Sequence, residues 1–366
     1  MKILNLWASG KTGGIEVLWK NILINSKEDN RVCCMFEEGE IYTQLNKIGI
    51  KTLSTTNCKK NISRIVKIIY NYCIKEKIDV VILHHGGVSC NLVYILLRKK
   101  LKNIGFVRYL HSCFDQYSYG NDGNIIKKYI VKLLMKRVLN ISDLLVYISN
   151  AVKRSFDDNF KLKNIKNVVI YNGIPSIFLE NNVDSKKGFR LNITFIGRLI
   201  KAKGINLLIK SFANVYKKNK NIKLTITGDG KEKNNLEREV NELNIVEAVE
   251  FTGRKENVIP ILDKTDIFVY PSIWEEGFGI SVVEAMARGC IPITFNKGGL
   301  PEIITNGVNG IIVEETSSEA LAKAIEKVIN MRDEEKSKMR IEAMKRARDF
   351  SIDNTISQLE KALKSL

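Results

Sequence analysis

Residues 267–292 read IFVYPSIWEEGFGISVVEAMARGCIP, and the rest of the chain is interpreted outward from them. The run 267–270 is apolar, β-branched and aromatic, the composition of a buried strand. The chain turns at Pro271 and passes through Gly277-Phe278-Gly279. Residues 280–288 then carry a helical pattern that stops at Gly289, a residue favoured just past a helix end. A glycine loop that opens a helix leaves free amide N–H groups at the positive end of the helix dipole, which is an anion site. Two carboxylates bracket it. Glu276 stands just before the glycines, and Glu284 lies within the helix, about 9 Å further along if the helix begins near Phe278. Carboxylates beside an anion site repel a bare phosphate. They fit a phosphate flanked by hydroxyl-rich groups, with Glu284 accepting from ribose hydroxyls and Glu276 from sugar hydroxyls.

Seven residues separate Glu276 from Glu284, Pro271-Ser272 precedes them, and EAMARG with Pro292 follows. In this the stretch resembles the signature of the retaining glycosyltransferases of family 4. That resemblance implies a GT-B fold: α/β, two Rossmann-like doubly wound domains facing a central cleft, with a C-terminal helix returning to the N-terminal domain. Further strings along the chain are similar to the same family, in the expected order. They are Gly13-Gly14-Ile15-Glu16, His111 after a strand, Gly197-Arg198 with Lys203-Gly204, Tyr171-Asn172-Gly173, Thr227-Gly228-Asp229-Gly230, Phe251-Thr252-Gly253-Arg254 and Gly298-Gly299-Leu300-Pro301-Glu302.

The pattern along the chain agrees with that architecture independently. Short, mostly apolar runs at 3–8, 32–36, 80–83, 105–109, 144–148 and 168–171 predict strands. Further runs at 192–196, 223–227, 249–252, 267–270, 291–294 and 311–313 do the same. They are continuous rather than alternating, as in parallel sheets covered on both faces. Helical patterns at 62–77, 88–101, 205–220 and 317–329 lie between them, which is the alternation of doubly wound α/β domains. The polar stretch LENNVDSKKG at 179–188 separates two complete strand–helix series. The expected division is 1–180, an acceptor-binding domain, 190–350, a nucleotide-sugar-binding domain, and 351–366, the returning helix.

Three motifs carry the chemistry. In the first, Gly13 and Gly14 follow the first strand and permit close backbone approach to a phosphate or sugar. The neighbouring Gly10-Lys11-Thr12 is not a P-loop, because the glycine that motif needs at position 5 is Asn5. The second is His111, one of three histidines with His84 and His85. The resemblance implies that His111 lies beside the transferred sugar, although the Asp that often follows directly is here displaced to Asp115. His84 and His85 also end a strand and are read as facing the cleft, toward the acceptor. As a metal pair they are unsuited, since adjacent strand residues point to opposite faces. The third is the basic loop of Arg198 and Lys203. A planar guanidinium fork and an ammonium point charge suit a diphosphate, and the resemblance assigns them to the donor diphosphate.

The resemblance thus implies a metal-independent hexosyltransferase without cofactors, using a nucleotide sugar, most commonly UDP-linked. The donor residues would be Gly13, Gly14, Arg198, Lys203, Arg254, Gly277, Phe278, Gly279, Ile280 and Glu284, and the catalytic ones His111 and Glu276. No D-x-D metal motif is present, Asp157-Asp158 being adjacent carboxylates. Family habit points to a lipid-linked glycan acceptor in capsule, exopolysaccharide or O-antigen assembly. The alternatives are a soluble acceptor and a nucleotide-sugar epimerase on the same fold.

Charge bears on the partners. The 366 residues carry a net charge of +18. Residues 1–180 hold 28 Lys and Arg against 14 Asp and Glu, while residues 181–366 hold 30 against 26. A basic first half fits an anionic membrane or a nucleic acid, and a general lysine richness explains it equally well. Basic clusters without interleaved aromatics argue against nucleic acid. Within 125–139, Lys128, Lys132 and Lys136 form one stripe, and Ile126, Tyr129, Ile130, Leu133 and Leu134 an apolar face. This is either a membrane-surface helix or, the preferred reading, a core-packing helix with a solvated lysine face. Seven cysteines without CxxC spacing, and a first segment that reads as a strand rather than a signal peptide, imply reduced thiols in the cytoplasm. A peripheral place on the inner face of the membrane accords with this.

Overall fold

The structure, a computed structural model, describes residues 1–59, 61–114, 125–162, 164–180 and 191–366. Asp115 and most of the 179–188 stretch lie outside the described residues. The chain divides into two compact units, one of Met1–Gly173 with Ile352–Leu366, the other of Ile174–Ser351.

The first unit is built on β1 (Lys2–Ser9), β2 (Asp29–Glu37), β3 (Lys51–Ser54), β4 (Val80–Leu83), β5 (Gly105–Leu110), β6 (Leu144–Tyr147) and β7 (Asn167–Val169). All pair in parallel, in the order β3-β2-β1-β4-β5-β6-β7. The second unit has β8 (Leu191–Ile196), β9 (Ile222–Thr227), β10 (Val249–Gly253), β11 (Ile267–Tyr270), β12 (Ile291–Phe295) and β13 (Ile311–Val313), also parallel, in the order β10-β9-β8-β11-β12-β13. Every expected strand is present, with some ends shifted. The addition is β3, an edge strand of sequence Lys-Thr-Leu-Ser with no fully buried residue. It is held by pairing to β2 rather than by apolar content, so its composition does not announce it.

Each sheet reverses its winding once, between β1 and β4 in the first unit and between β8 and β11 in the second. At such a point the connections leave in opposite directions and open a crevice beyond the strands' carboxyl ends. The strands around it are rigid because their side chains are buried on both faces. In the first unit Leu4, Leu6, Val81 and Leu83 join Ile65, Ile69, Val93, Tyr94 and Leu97 of the covering helices in one core.

The helix Ile125–Ile141 departs from the reading preferred above. It buries Val131, Met135, Val138 and Leu139, and Leu134 packs partly against the core. Ile126, Tyr129, Ile130 and Leu133 are 72%, 63%, 41% and 49% exposed. Four members of the expected apolar face therefore form a surface stripe, because a second apolar set on the opposite side of the helix fills the core. No helix among the described residues is long and apolar enough to cross a membrane.

The last helix, Ile352–Leu363, belongs to the first unit. It buries Ile352, Thr355, Ile356, Leu359 and Leu363 and packs on the helix Gly14–Asn25. Ser26 Oγ donates to Glu360 at 2.8 Å, and Thr355 Oγ1 to the Tyr171 carbonyl at 2.9 Å. Leu359→Ala removes a buried side chain and is expected to cost about 2–4 kcal/mol. Glu360→Ala, at the margin of the contact, is expected to cost less than about 1 kcal/mol. Urea unfolding of both variants measures the difference, and equal midpoints would show that the helix is not part of the cooperative unit.

Candidate functional site

In the second unit the sequence-predicted residues meet at the switch point. β8 delivers Arg198 and the turn Lys201–Lys203, while β11, its neighbour in the sheet, delivers the loop that carries Glu276. Lys203 Nζ lies 2.6 Å from Glu276 Oε1. Lys203 also bonds the Tyr270 hydroxyl, and its ammonium sits 4.8 Å from the Tyr270 ring centre. Ser272 Oγ bonds Glu276 Oε1 and lies 3.1 Å from the Ala202 carbonyl. The side chains of Lys203 and Glu276 are 12% and 13% exposed. Burial alone pulls the Lys203 ammonium down, but Tyr270 and Glu276 outweigh it and the net shift is upward. Tyr270 is raised mainly by burial and by the Glu276 charge, against the lowering effects of Lys203 and Arg198. Arg198 thus acts electrostatically on the same cluster. It is exposed, and its guanidinium makes no hydrogen bond or ion pair among the described residues.

The Glu276 loop is held from behind by the next glycine loop. Gly299 N donates to the Glu276 carbonyl at 2.7 Å, and Gly298 N to Glu275 Oε2 at 2.6 Å. Gly298 adopts a left-handed φ of +56°, and a Cβ there would run into the backbone N and O of Glu276. Only glycine serves both needs. The same bonds separate two adjacent acids: Glu275 faces Gly298, and Glu276 faces Lys203.

The helix begins at Ile280, with Gly279 at φ +118° as its N-cap. Glu284 is therefore about 6 Å along the axis from Ile280 rather than about 9 Å from Phe278. Phe278 is 2% exposed and packs edge-on against Phe350 at 5.2 Å, so only its backbone is available to a ligand. Glu284 is partly exposed, and burial of its carboxyl raises its pKa from the ordinary 4.5 to about 8. Arg254 follows the edge strand β10 and is exposed. Two strands separate it from β11, so it does not join the cluster directly.

In the first unit Gly13 caps the helix Gly14–Asn25, and a Cβ on it would collide with the Glu16 carboxylate. Gly14 has open space beside it. Glu16 Oε1 lies 2.9 Å from His85 Nε2, and His85 Nδ1 accepts from the Ala8 amide at 3.3 Å. His84 turns the other way. Its Nε2 is 2.9 Å from Asn5 Oδ1 and its Nδ1 is 3.2 Å from His111 Nε2. The two adjacent histidines thus serve different partners on opposite faces of the strand end. His84 and His111 are both held well below the ordinary imidazole pKa, foremost by burial, with charge from His85 and Arg108 adding to it.

Tyr270, Ser272 and Asn5 are the residues that sequence reasoning did not name as site residues. The first two lie in the quoted stretch itself. Asn5 is a single amide in the apolar run Ile-Leu-Asn-Leu-Trp, a polar side chain that a buried strand tolerates only with a partner.

Comparison with known proteins follows from this geometry. Residues 180–347 match the family "Glycosyl transferases group 1", and residues 28–176 match "Glycosyltransferase Family 4". An uncharacterised glycosyltransferase of Methanocaldococcus jannaschii is 31% identical over 267 residues, which are 72% of this chain and 69% of the relative. The capsular polysaccharide biosynthesis glycosyltransferase CapM of Staphylococcus aureus is 31% identical over 217 residues, 56% of this chain and 57% of CapM. Among solved structures, Anabaena HepE in complex with UDP superposes with a TM-score of 0.85 over 100% of both chains, at 21% identity.

The Glu284 shift makes a prediction for stability. The carboxyl binds its proton more tightly in the folded protein, so its contribution is full below about pH 4.5 and is lost as pH rises toward 8. Glu284→Gln, which cannot ionise, is expected to melt close to wild type at pH 5 and clearly above it at pH 9. Thermal unfolding at both values checks this, and a gap that does not widen with pH rules out the assigned shift.

Proposed function

The chain belongs to glycosyltransferase family 4 and is a glycosyltransferase of the GT-B type, and on that premise we propose which sugar chemistry it performs. It moves a hexose or N-acetylhexosamine from a UDP-linked donor, with retention at the anomeric carbon, to a lipid-linked glycan in cell-surface polysaccharide biosynthesis. The observation that carries this reading is the buried Lys203–Glu276 pair beside the opening of the helix Ile280–Ala287, with Arg198 nearby and unpaired among the described residues. On this reading residues 190–350 bind the donor. Glu284 accepts from the ribose hydroxyls, and Arg198, Lys203 and the amides of Phe278–Ile280 hold the diphosphate. Glu276 accepts from the sugar hydroxyls. Gly13 and Gly14 give backbone access to the donor, Arg254 borders the base, and His111 contacts the transferred sugar. Residues 1–180 bind the acceptor.

The reaction forms the bond from the anomeric carbon to the acceptor oxygen as the bond to the leaving phosphate oxygen breaks. Both events occur on one face, and that phosphate oxygen takes the acceptor's proton. Negative charge grows on the diphosphate, and two cations with preorganised amides stabilise it where it develops, without metal. The capsular relative from Staphylococcus aureus supports a polysaccharide product. The exposed stripe of Ile126, Tyr129, Ile130 and Leu133, beside Lys128, Lys132 and Lys136, supports a peripheral place on the anionic inner face of the cell membrane.

Wild type is expected to transfer from a UDP-sugar in EDTA, giving a product with the donor's anomeric configuration by NMR. Arg198→Ala, at an exposed position, is expected to keep the melting temperature and lose about a hundredfold or more in kcat/KM. Glu276→Gln, which keeps the side chain's shape, is expected to lose as much. A metal requirement, an inverted product, epimerised donor as the sole product, or full activity in both variants would each overturn its part of the proposal. Sedimentation with vesicles is the membrane test. Binding to phosphatidylglycerol vesicles above phosphatidylcholine ones is expected, and Tyr129→Glu with Leu133→Glu is expected to abolish it. Unchanged sedimentation of that variant refutes the assigned surface.

A further inference from the structure

The hydrogen bonds around Asn5 fix the protonation of two histidines in sequence. Asn5 Nδ2 donates to the Arg31 carbonyl at 3.1 Å and lies 3.4 Å from Asn30 Oδ1. A carbonyl only accepts, so the amide nitrogen must face Arg31 and the amide oxygen must face His84. His84 Nε2, 2.9 Å from that oxygen, therefore carries the proton. A neutral imidazole has one N–H, so His84 Nδ1 is a bare acceptor. His111 Nε2 lies 3.2 Å from it and must donate. In neutral His111 the remaining nitrogen, Nδ1, is then a lone pair, and this buried atom has no hydrogen-bond partner among the described residues.

The rings cannot turn to escape this order. Asn5 is 0%, His84 1% and His111 6% exposed. Trp19 meets His84 edge-on at 4.0 Å, and Tyr109 stacks on His111 at 4.7 Å. Protonating either imidazole would place an ammonium-like charge in a buried site that already holds the Arg108 guanidinium, whose Nη1 donates to the Leu83 and Tyr109 carbonyls. The chain of bonds thus runs one way, from His111 to His84 to Asn5, and ends on the Arg31 carbonyl in β2.

We propose that Asn5 and His84 are positioning residues that hold His111 in its Nε2–H tautomer, so that Nδ1 is presented as a hydrogen-bond acceptor for a hydroxyl of the transferred sugar. This rests on the reading given under Proposed function, in which His111 contacts that sugar. A buried acceptor without a partner is costly, and a hydroxyl donor supplied by substrate removes the cost only when substrate is bound. The arrangement also selects. Nδ1 can accept from a hydroxyl, but it offers no proton to a deoxy position or to a carboxylate.

Long-range proton–nitrogen NMR on histidine-labelled protein reads the tautomers directly. His84 and His111 are expected to be neutral at pH 7.5 with their protons on Nε2. His84→Phe keeps a ring of similar shape and removes the acceptor. It is expected to lower kcat about tenfold, the effect of one lost hydrogen bond, and to leave UDP affinity unchanged, since UDP lacks the transferred sugar. His84→Gln, whose amide oxygen can accept the same N–H, is expected to keep more activity than the Phe variant. A proton on Nδ1 of His111 in wild type, or unchanged kcat in a folded His84→Phe variant, overturns the proposal. If neither variant folds, the wild-type tautomers alone decide it. If wild type holds the assigned tautomers but transfers from no UDP-sugar, the functional reading fails and the bond order among the three residues stands.

Discussion

A lysine ammonium held against a carboxylate at 12% and 13% exposure is the interaction around which the second unit's site is arranged. Neither charge is tolerable there alone. Removing one partner of such a pair leaves an uncompensated buried ion and costs about 3–5 kcal/mol. Each residue therefore holds the other in place, and Tyr270 and Ser272 complete the pair by bonding to Lys203 and Glu276 respectively. The glycine loop at 298–299 fixes the height of Glu276 from behind. A second anion entering beside Lys203 would have to share its ammonium with Glu276. Arg198, which makes no ion pair among the described residues, and the amides at the helix start offer the positive charge that the pair has already neutralised.

Both units place their polar groups by the same rule. The strands are apolar until they reach the carboxyl ends at the switch point, and there the pattern breaks. β1 ends toward Gly13 and Gly14, β4 gives way to His84 and His85, and β5 to His111. In the second unit β8 gives way to Arg198 and β11 to the Glu276 loop. Local rules are satisfied where the sheet is built and violated at the candidate site, which is the expected signature of a functional end. Buried polar residues inside strands are the exceptions, among them Arg31 in β2, Arg108 in β5 and Asn5 in β1. Asn5 is tolerated because its amide is bonded on both sides.

How far this was legible depended on whether the signal was local. Apolar strands announced themselves because a parallel sheet buries both faces, and β3 did not, because its stability comes from an edge pairing that four polar-leaning residues cannot advertise. Helix Ile125–Ile141 is apolar on two opposite sides. Composition alone could not say whether Val131, Met135 and Val138 or Ile126, Tyr129 and Leu133 would meet the core. Glu276, Lys203 and Arg198 are marked in the sequence by motifs within their own loops. That Lys203 would bond Tyr270, 67 residues on, follows only from β8 and β11 lying side by side. His84 and Asn5 are 79 residues apart for the same reason.

The two buried sets differ in what they can do with a proton, and this separates their roles. Glu284 is pushed up to about 8 by burial, so near neutral pH much of it carries a proton until a ligand gives the carboxylate better partners. On the proposed reading hydroxyl donors do that, and binding them is coupled to release of the proton. His84 and His111 are pushed the other way and stay neutral. One site gains its acceptor by losing a proton on binding, and the other has its acceptor fixed in advance by a chain of hydrogen bonds. Two carboxylates around the helix start repel a bare phosphate, so on the proposed reading they favour a phosphate flanked by hydroxyl groups.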